Sequence, residues 1–219
     1  MSHDDFAFEP IPGLPALLPA GENLLWQGSP NWKALAIRAY HVRKVGLYFL
    51  ALIAWRIGIG INGGQTPASI AQSLALLAAL GATAMGVLSL LAYWTSRATV
   101  YSVTSRRVLL RHGIAVPLTL NVPFTAVDGA ALKMYGDGTG DVALTVARDQ
   151  RVPYLITWPH LRPGHVTRPC PAFRAVADAA RVAEILSVAL AAHAGTDPVR
   201  IAPEQPAVAG FRPRTAATA

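Results

Sequence analysis

The chain has 219 residues, of which 53% are hydrophobic and 14% charged, and it carries a net charge of +7. Soluble domains carry about 25% charged residues, so much of this surface need not face water. A single cysteine, Cys170, excludes a disulfide framework or a cysteine-based zinc site within one chain.

The basic excess is unevenly placed. No acidic residue occurs between Glu22 and Asp128, whereas Lys33, Arg38, Arg43, Lys44, Arg56, Arg97, Arg106, Arg107 and Arg111 are basic. A basic block wrapped around apolar runs suits an anionic membrane surface, and Lys33, Arg38, Arg43, Lys44 and Arg97 are the residues expected to face it. No nucleic-acid partner is expected, because neither a recognition helix nor an aromatic–basic single-strand platform accompanies the charge.

Residues 1–20 are broken by Pro10, Pro12, Pro15 and Pro19 and lack a basic start, so they do not read as a secretory signal. The segment as a whole, residues 1–44, reads as cytoplasmic or interfacial: Trp26 and Trp32 among leucines and basic residues suit a stretch lying at headgroup level. His41 ends it. Its imidazole reads either as an ordinary interfacial histidine or as a ligand for the magnesium of a chlorophyll-type pigment.

A hairpin of two membrane spans is expected over residues 45–95, with spans at about 45–61 and 70–94. Crossing a ~30 Å hydrocarbon layer takes about 20 apolar residues. The second run meets this without a charge. The first contains Arg56 near its outer end, from where the long stem carries the guanidinium toward the headgroups. The connecting loop is uncharged, while four basic residues precede the first span and four follow the second, which places both termini in the cytoplasm. Small residues recur at helical spacing at Ala71, Ala75, Ala78, Ala82 and Gly86, and at Ala54 and Gly58. Small faces let helices approach closely in lipid. They serve either the packing of the two spans on each other or a further membrane partner.

After Trp94 the pattern changes to short alternating strands separated by turns, which suggests a meander curling into a small barrel or sandwich over residues 96–194. Strands are expected around 97–104, 106–113, 114–123, 127–135, 142–147 and 152–158, with a turn at 148–151. A helix over about 173–194 closes the domain, with Arg174, Asp178 and Arg181 as its polar stripe. The glycine-rich stretch at 136–141 lacks the lysine and following helix of a phosphate loop and reads as a hairpin turn, with Asp137 and Asp141 solvated. His112, His160 and His165 show no metal-ligand spacing, and no nucleophile or acid–base constellation suggests catalysis, so a binding protein is expected rather than an enzyme. The proline-rich stretch 158–171, which carries Trp158, His160 and Arg162, reads as a rigid surface for a partner or as a stiff connector. Residues 195–219, rich in proline, alanine and threonine, read as a disordered tail.

Six or seven strands and one terminal helix is the element order of pleckstrin-homology-like domains, and "TVYSVTSRRVLLRHGI" resembles the bacterial form. The stretches "GSPNW", "YHVR" and "WPHLRP", with "VALTV" and "DAARVAEIL", more specifically resemble the PuhB family of photosynthetic-complex assembly proteins of purple bacteria. The likeness runs from about residue 21 to 190 and departs from the family's pattern mildly at Tyr40 and more at Gly164. It implies a membrane α+β protein, with a two-helix transmembrane hairpin followed by a cytoplasmic pleckstrin-homology-like barrel or sandwich capped by a C-terminal helix. It further implies a role in assembling the reaction centre with its core light-harvesting antenna in the photosynthetic inner membrane, a homodimer, and transient handling of bacteriochlorophyll, for which His41 and His160 are the candidate ligands. The small-residue faces, Trp158 and Arg162 are the candidate partner contacts. A bacteriochlorophyll carrier and a generic membrane-anchored lipid- or protein-binding module are the alternatives.

Overall fold

A computed structural model of the chain describes residues 13–14, 16–147, 152–198, 201 and 203. Strand β1 (Leu24–Gly28) comes first, followed by helix α1 (Trp32–Arg38). Asn31 starts α1 because its side-chain oxygen accepts hydrogen bonds from the amides of Lys33 and Ala34, two donors that a helix end otherwise leaves unpaired. Helices α2 (Val42–Asn62) and α3 (Pro67–Ala98) form an antiparallel pair joined by a four-residue turn. Pro67 opens α3 and Thr66 caps it, as suits a residue with a fixed φ and no amide proton. Both helices are long and apolar enough to cross a membrane, and in the most apolar stretch of each only 6% is buried within the protein.

Six further strands follow: β2 (Val100–Thr104), β3 (Arg107–His112), β4 (Leu118–Pro123), β5 (Val127–Met134), β6 (Thr139–Val146) and β7 (Ala172–Ala177). A one-turn helix α4 (Tyr154–Thr157) precedes β7, and α5 (Ala179–Ala194) ends the domain. The strands make two antiparallel sheets, ordered β1-β2-β3-β4 and β5-β6-β7, which do not close into one barrel. Between them lies a core built on Tyr101, Val103, Leu110, Leu144, Phe173 and Val176. Helix α5 lays Val182, Leu186 and Ala189 on it, the one-turn spacing of an amphipathic face.

Three expectations change. Residues 24–38 are not an interfacial leader separate from the domain: β1 pairs with β2 in register from Leu24 opposite Thr104 to Gly28 opposite Tyr101. The hairpin is therefore an insertion between the first two strands of one domain. The expected strand at 152–158 is the single turn α4, begun by Pro153. The expected helix over 173–194 divides into β7 and α5. Register explains the misreading: Val142 faces Phe173 and Gly140 faces Val176, so Asp141 alone stands opposite the two residues Arg174 and Ala175. Such a bulge shifts the phase of a strand, turning Phe173 and Val176, three apart, to the same core. The resulting spacing imitates a helix. The expected turn at 148–151 and most of the terminal tail lie outside the described residues.

Candidate functional site

The base of the hairpin meets the domain through a buried chain of polar groups. The amide of Arg174 donates to the Tyr101 hydroxyl (3.1 Å), which bonds His160 Nδ1 (2.7 Å). His160 Nε2 bonds Thr99 Oγ1 (3.1 Å), and that hydroxyl donates to the Thr95 carbonyl in the last turns of α3 (2.7 Å). One assignment satisfies every group: Tyr101 donates to Nδ1, and His160 donates from Nε2 to Thr99. Tyr101, His160 and Thr99 are fully buried. Burial holds His160 well below the usual imidazole range, aided by His112 and Arg174, and lowers His112, whose ring centre lies 5.4 Å from that of His160. Burial likewise pushes the Tyr101 hydroxyl far above an ordinary phenol. The chain is thus held neutral.

Beside it, Asp141 organises the bulge in β7. Its Oδ1 accepts the amide of Ala175 (2.8 Å), a residue held at φ 53°, and its Oδ2 accepts from the Tyr135 hydroxyl (2.6 Å). Arg174 Nε lies 2.9 Å from Oδ2, an ion-pair distance without hydrogen-bond alignment, and both side chains are 6% exposed. Arg174 Nη1 donates to the carbonyls of Leu161 (2.9 Å) and Pro159 (3.3 Å), which fixes the segment after α4 against β7. Burial, the hydrogen bond to Asp141 and that residue's charge raise the Tyr135 hydroxyl strongly. Asp141 is therefore not a solvated turn residue, and Arg174 is not part of a surface stripe. Sequence reasoning missed both, together with Tyr101 and Thr99. The signal for Asp141 and Arg174 was an isolated charge inside an otherwise apolar run, as in "GDVALTV" and "AFRAVA".

The predicted surface residues divide. Lys33, Arg43, Lys44 and Arg97 are exposed around the junction of the helices with the domain. Arg38 is not a membrane-surface residue. It stacks 3.6 Å from the centre of the Tyr135 ring, pairs with Asp137 (2.6 Å) and donates to the Thr139 hydroxyl. The hydrogen bond from Arg38, joined by one from Thr139, holds the Asp137 carboxyl far below the usual carboxylate range. Trp158 is half-exposed and meets Tyr40 edge-on, ring centres 5.2 Å apart. Tyr40 in turn bonds the Thr95 hydroxyl (2.6 Å). Arg162 is half-buried, its amide bonded to the Cys170 carbonyl.

The two candidate pigment ligands separate as well. His160 presents no free nitrogen, since both are bonded and the ring is sealed from solvent, so a pigment-ligand role for it is withdrawn. His41 is exposed at the head of α2, at φ 55°, and its side chain caps nothing. Among the described residues no three His, Cys, Asp or Glu side chains gather as a metal site.

The helices pack through residues other than the predicted stripe. Gly81 receives Phe49, Gly46 faces Met85 and Gly60 faces Ile70; a Cβ on Gly81 would lie 2.9 Å from Phe49 Cγ, and one on Gly60 2.7 Å from Ile70 Cγ1. Ala71, Ala75, Ala78, Ala82 and Gly86 all point away from α2 and are exposed, as is Ala54. Nothing lies within 4 Å of a Cβ built on Gly58 or Gly86. Arg56 reaches along α2 toward the turn, as its long stem allows. It folds between the helices and donates to Gln65 Oε1 (2.7 Å) and Ser73 Oγ (2.9 Å).

Residues 45–189 match the family model described as "Bacterial PH domain", and the chain belongs to that family. The match opens inside α2 and so omits β1 and α1. A protein of Rhodobacter capsulatus, described as "Uncharacterized 23.7 kDa protein in puhA 5'region", is 38% identical over 205 residues, covering 93% of this chain and 96% of that protein. This relative bears out the resemblance to the PuhB family. No solved structure matches the chain.

Proposed function

We propose that this chain is a non-catalytic assembly factor for the photosynthetic reaction centre and its core light-harvesting antenna. In this reading α2 and α3 span the inner, intracytoplasmic photosynthetic membrane with both termini in the cytoplasm. The observation that carries it is the free face Ala71–Ala75–Ala78–Ala82–Gly86 on an apolar helix whose opposite face is already filled by α2. Two apolar helices this poorly buried need lipid or protein around them. Small residues favour close approach of another helix, here one from an antenna or reaction-centre subunit. The domain would then hold partner segments, or a second copy, at the basic cytoplasmic surface. The location of the relative's gene, in the puhA 5' region, supports the photosynthetic setting.

The test is deletion, followed by complementation with Ala78→Leu/Ala82→Leu. Deletion should deplete assembled antenna–reaction-centre complexes while pigment synthesis continues. The substituted chain should accumulate normally yet fail to restore the complexes. Unchanged complex levels on deletion would refute the role. Exposure of His41 favours a second reading, delivery of bacteriochlorophyll with this imidazole as magnesium ligand. Purified chain with no pigment absorbance, and no change in the spectrum of added pigment relative to pigment alone, would rule that out.

A further inference from the structure

Helix α4 and the residue after it expose three large apolar side chains within four positions: Leu155 is 87% exposed, Ile156 54% and Trp158 44%. Single exposed apolar residues are ordinary on a protein surface, but a cluster marks a contact. The hairpin supplies a ruler for where this cluster sits. Gly60 lies beside Ile70 and Gly46 beside Met85. A ~30 Å hydrocarbon layer beginning at the level of Ile70 takes about 20 residues of α3 and ends near Ser89. Val42, one turn before Gly46, reaches the same level, and α2 starts there with Arg43 and Lys44 exposed. Thr95 then lies about 9 Å further on, just past a headgroup layer about 5–8 Å thick.

The cluster is tied to that level by direct contacts. Tyr40 bonds Thr95 and packs against Trp158. Leu155, three residues from Trp158, is at most about 10 Å away along the chain. The segment cannot swing clear, because Arg174 holds the carbonyls of Pro159 and Leu161 and His160 is bonded to Thr99. Charge agrees: the stretches 23–127 and 152–177, which include α1, the hairpin and α4, contain no acidic residue, as suits an anionic leaflet. On α1 and the end of α3, Trp32, Tyr93 and Trp94 are also exposed, which continues an aromatic belt at the same depth.

We propose that α4, through Leu155, Ile156 and Trp158, is embedded in the cytoplasmic leaflet, so that the domain is seated in the lipid surface rather than tethered above it by the hairpin. This inference rests on the reading of α2 and α3 as membrane spans. Seating would fix the height and rotation at which the free face of α3 meets another helix.

The full-length chain, reconstituted in phosphatidylcholine–phosphatidylglycerol vesicles, tests it. An environment-sensitive fluorophore is attached at Leu155→Cys, at Leu76→Cys in α3 and at Glu184→Cys on α5. The unsubstituted chain, whose Cys170 is buried, supplies the labelling background. Brominated phospholipid should quench the label at 155 roughly twofold, in company with 76, and leave 184 unchanged. Quenching at 76 without 155 overturns the seating of α4 and leaves the hairpin standing. Quenching at neither overturns the membrane reading itself. Equal quenching at 155 and 184 also overturns the proposal, because the domain would then lie on lipid without a fixed orientation.

Discussion

Replacing Asp141 by asparagine should destabilise the domain by about 3–5 kcal/mol, the usual cost of leaving one member of a buried ion pair uncompensated. The carboxylate accepts from Ala175 and Tyr135 and faces Arg174 Nε at 2.9 Å, with both charged side chains 6% exposed. An amide of the same shape keeps one acceptor oxygen but turns an NH2 toward donors. Arg174 retains its two carbonyl partners and loses its counter-charge. The effect is large against a typical total stability of about 5–15 kcal/mol, and in a domain of this size it corresponds to a fall in Tm of roughly 6–20 °C. The assay is urea or thermal unfolding of the purified chain in detergent micelles, followed by tryptophan fluorescence, since Trp26 packs 5.8 Å from Phe173 of the bulged strand. Arg174→Met should also destabilise. The double variant Asp141→Asn/Arg174→Met should lose clearly less than the two single losses combined, because it removes both charges at once. A loss under about 1 kcal/mol for Asp141→Asn, or strict additivity in the cycle, would refute the pairing argument.

Stability should depend on pH through His160 and His112. Both have folded-state pKa values lowered by burial, so the unfolded chain takes up protons first, near its ordinary value of about 6.5. Stability is therefore full above that pH and declines below it, by up to about 1.4 kcal/mol per histidine per pH unit; equal denaturant midpoints at pH 7.5 and 5.5 would reject this. Gly81→Leu should force Phe49 out of its seat and weaken the hairpin by about 1–3 kcal/mol, whereas Gly86→Leu should leave it intact, as read by proteolysis in micelles. The reverse order would mean that the packed and free faces are exchanged. Asn31→Ala should remove the cap of α1 at a cost of about 1 kcal/mol, measured by the same unfolding assay, with a wild-type midpoint counting against the cap.

Much of the architecture was legible because it is written in neighbouring residues. Two long apolar runs around an uncharged turn gave α2 and α3, and alternation gave β2, β3 and β6 nearly in place. The basic flanks of the hairpin and the exposure of Lys33, Arg43, Lys44 and Arg97 were readable in the same way. The small-residue stripe on α3 was visible as a pattern, but not which face it formed. Gly81 and Gly60 hold the partner helix because Phe49 and Ile70 fit against them, while the more regular alanine stripe faces outward.

The remaining features depend on partners distant in the chain. β1 is a strand because β2, beyond the whole hairpin, offers it an edge. Phe173 and Val176 share a core because Asp141 on β6 stabilises a bulge between them, and local periodicity cannot distinguish that spacing from a helix. Arg174 and Asp141 are buried only because each neutralises the other. The sequence alone thus determined which segments shun water and which alternate. Tertiary structure decided which charges could be buried, which strand bulges and which helical face stays free, since each requires two remote segments to meet.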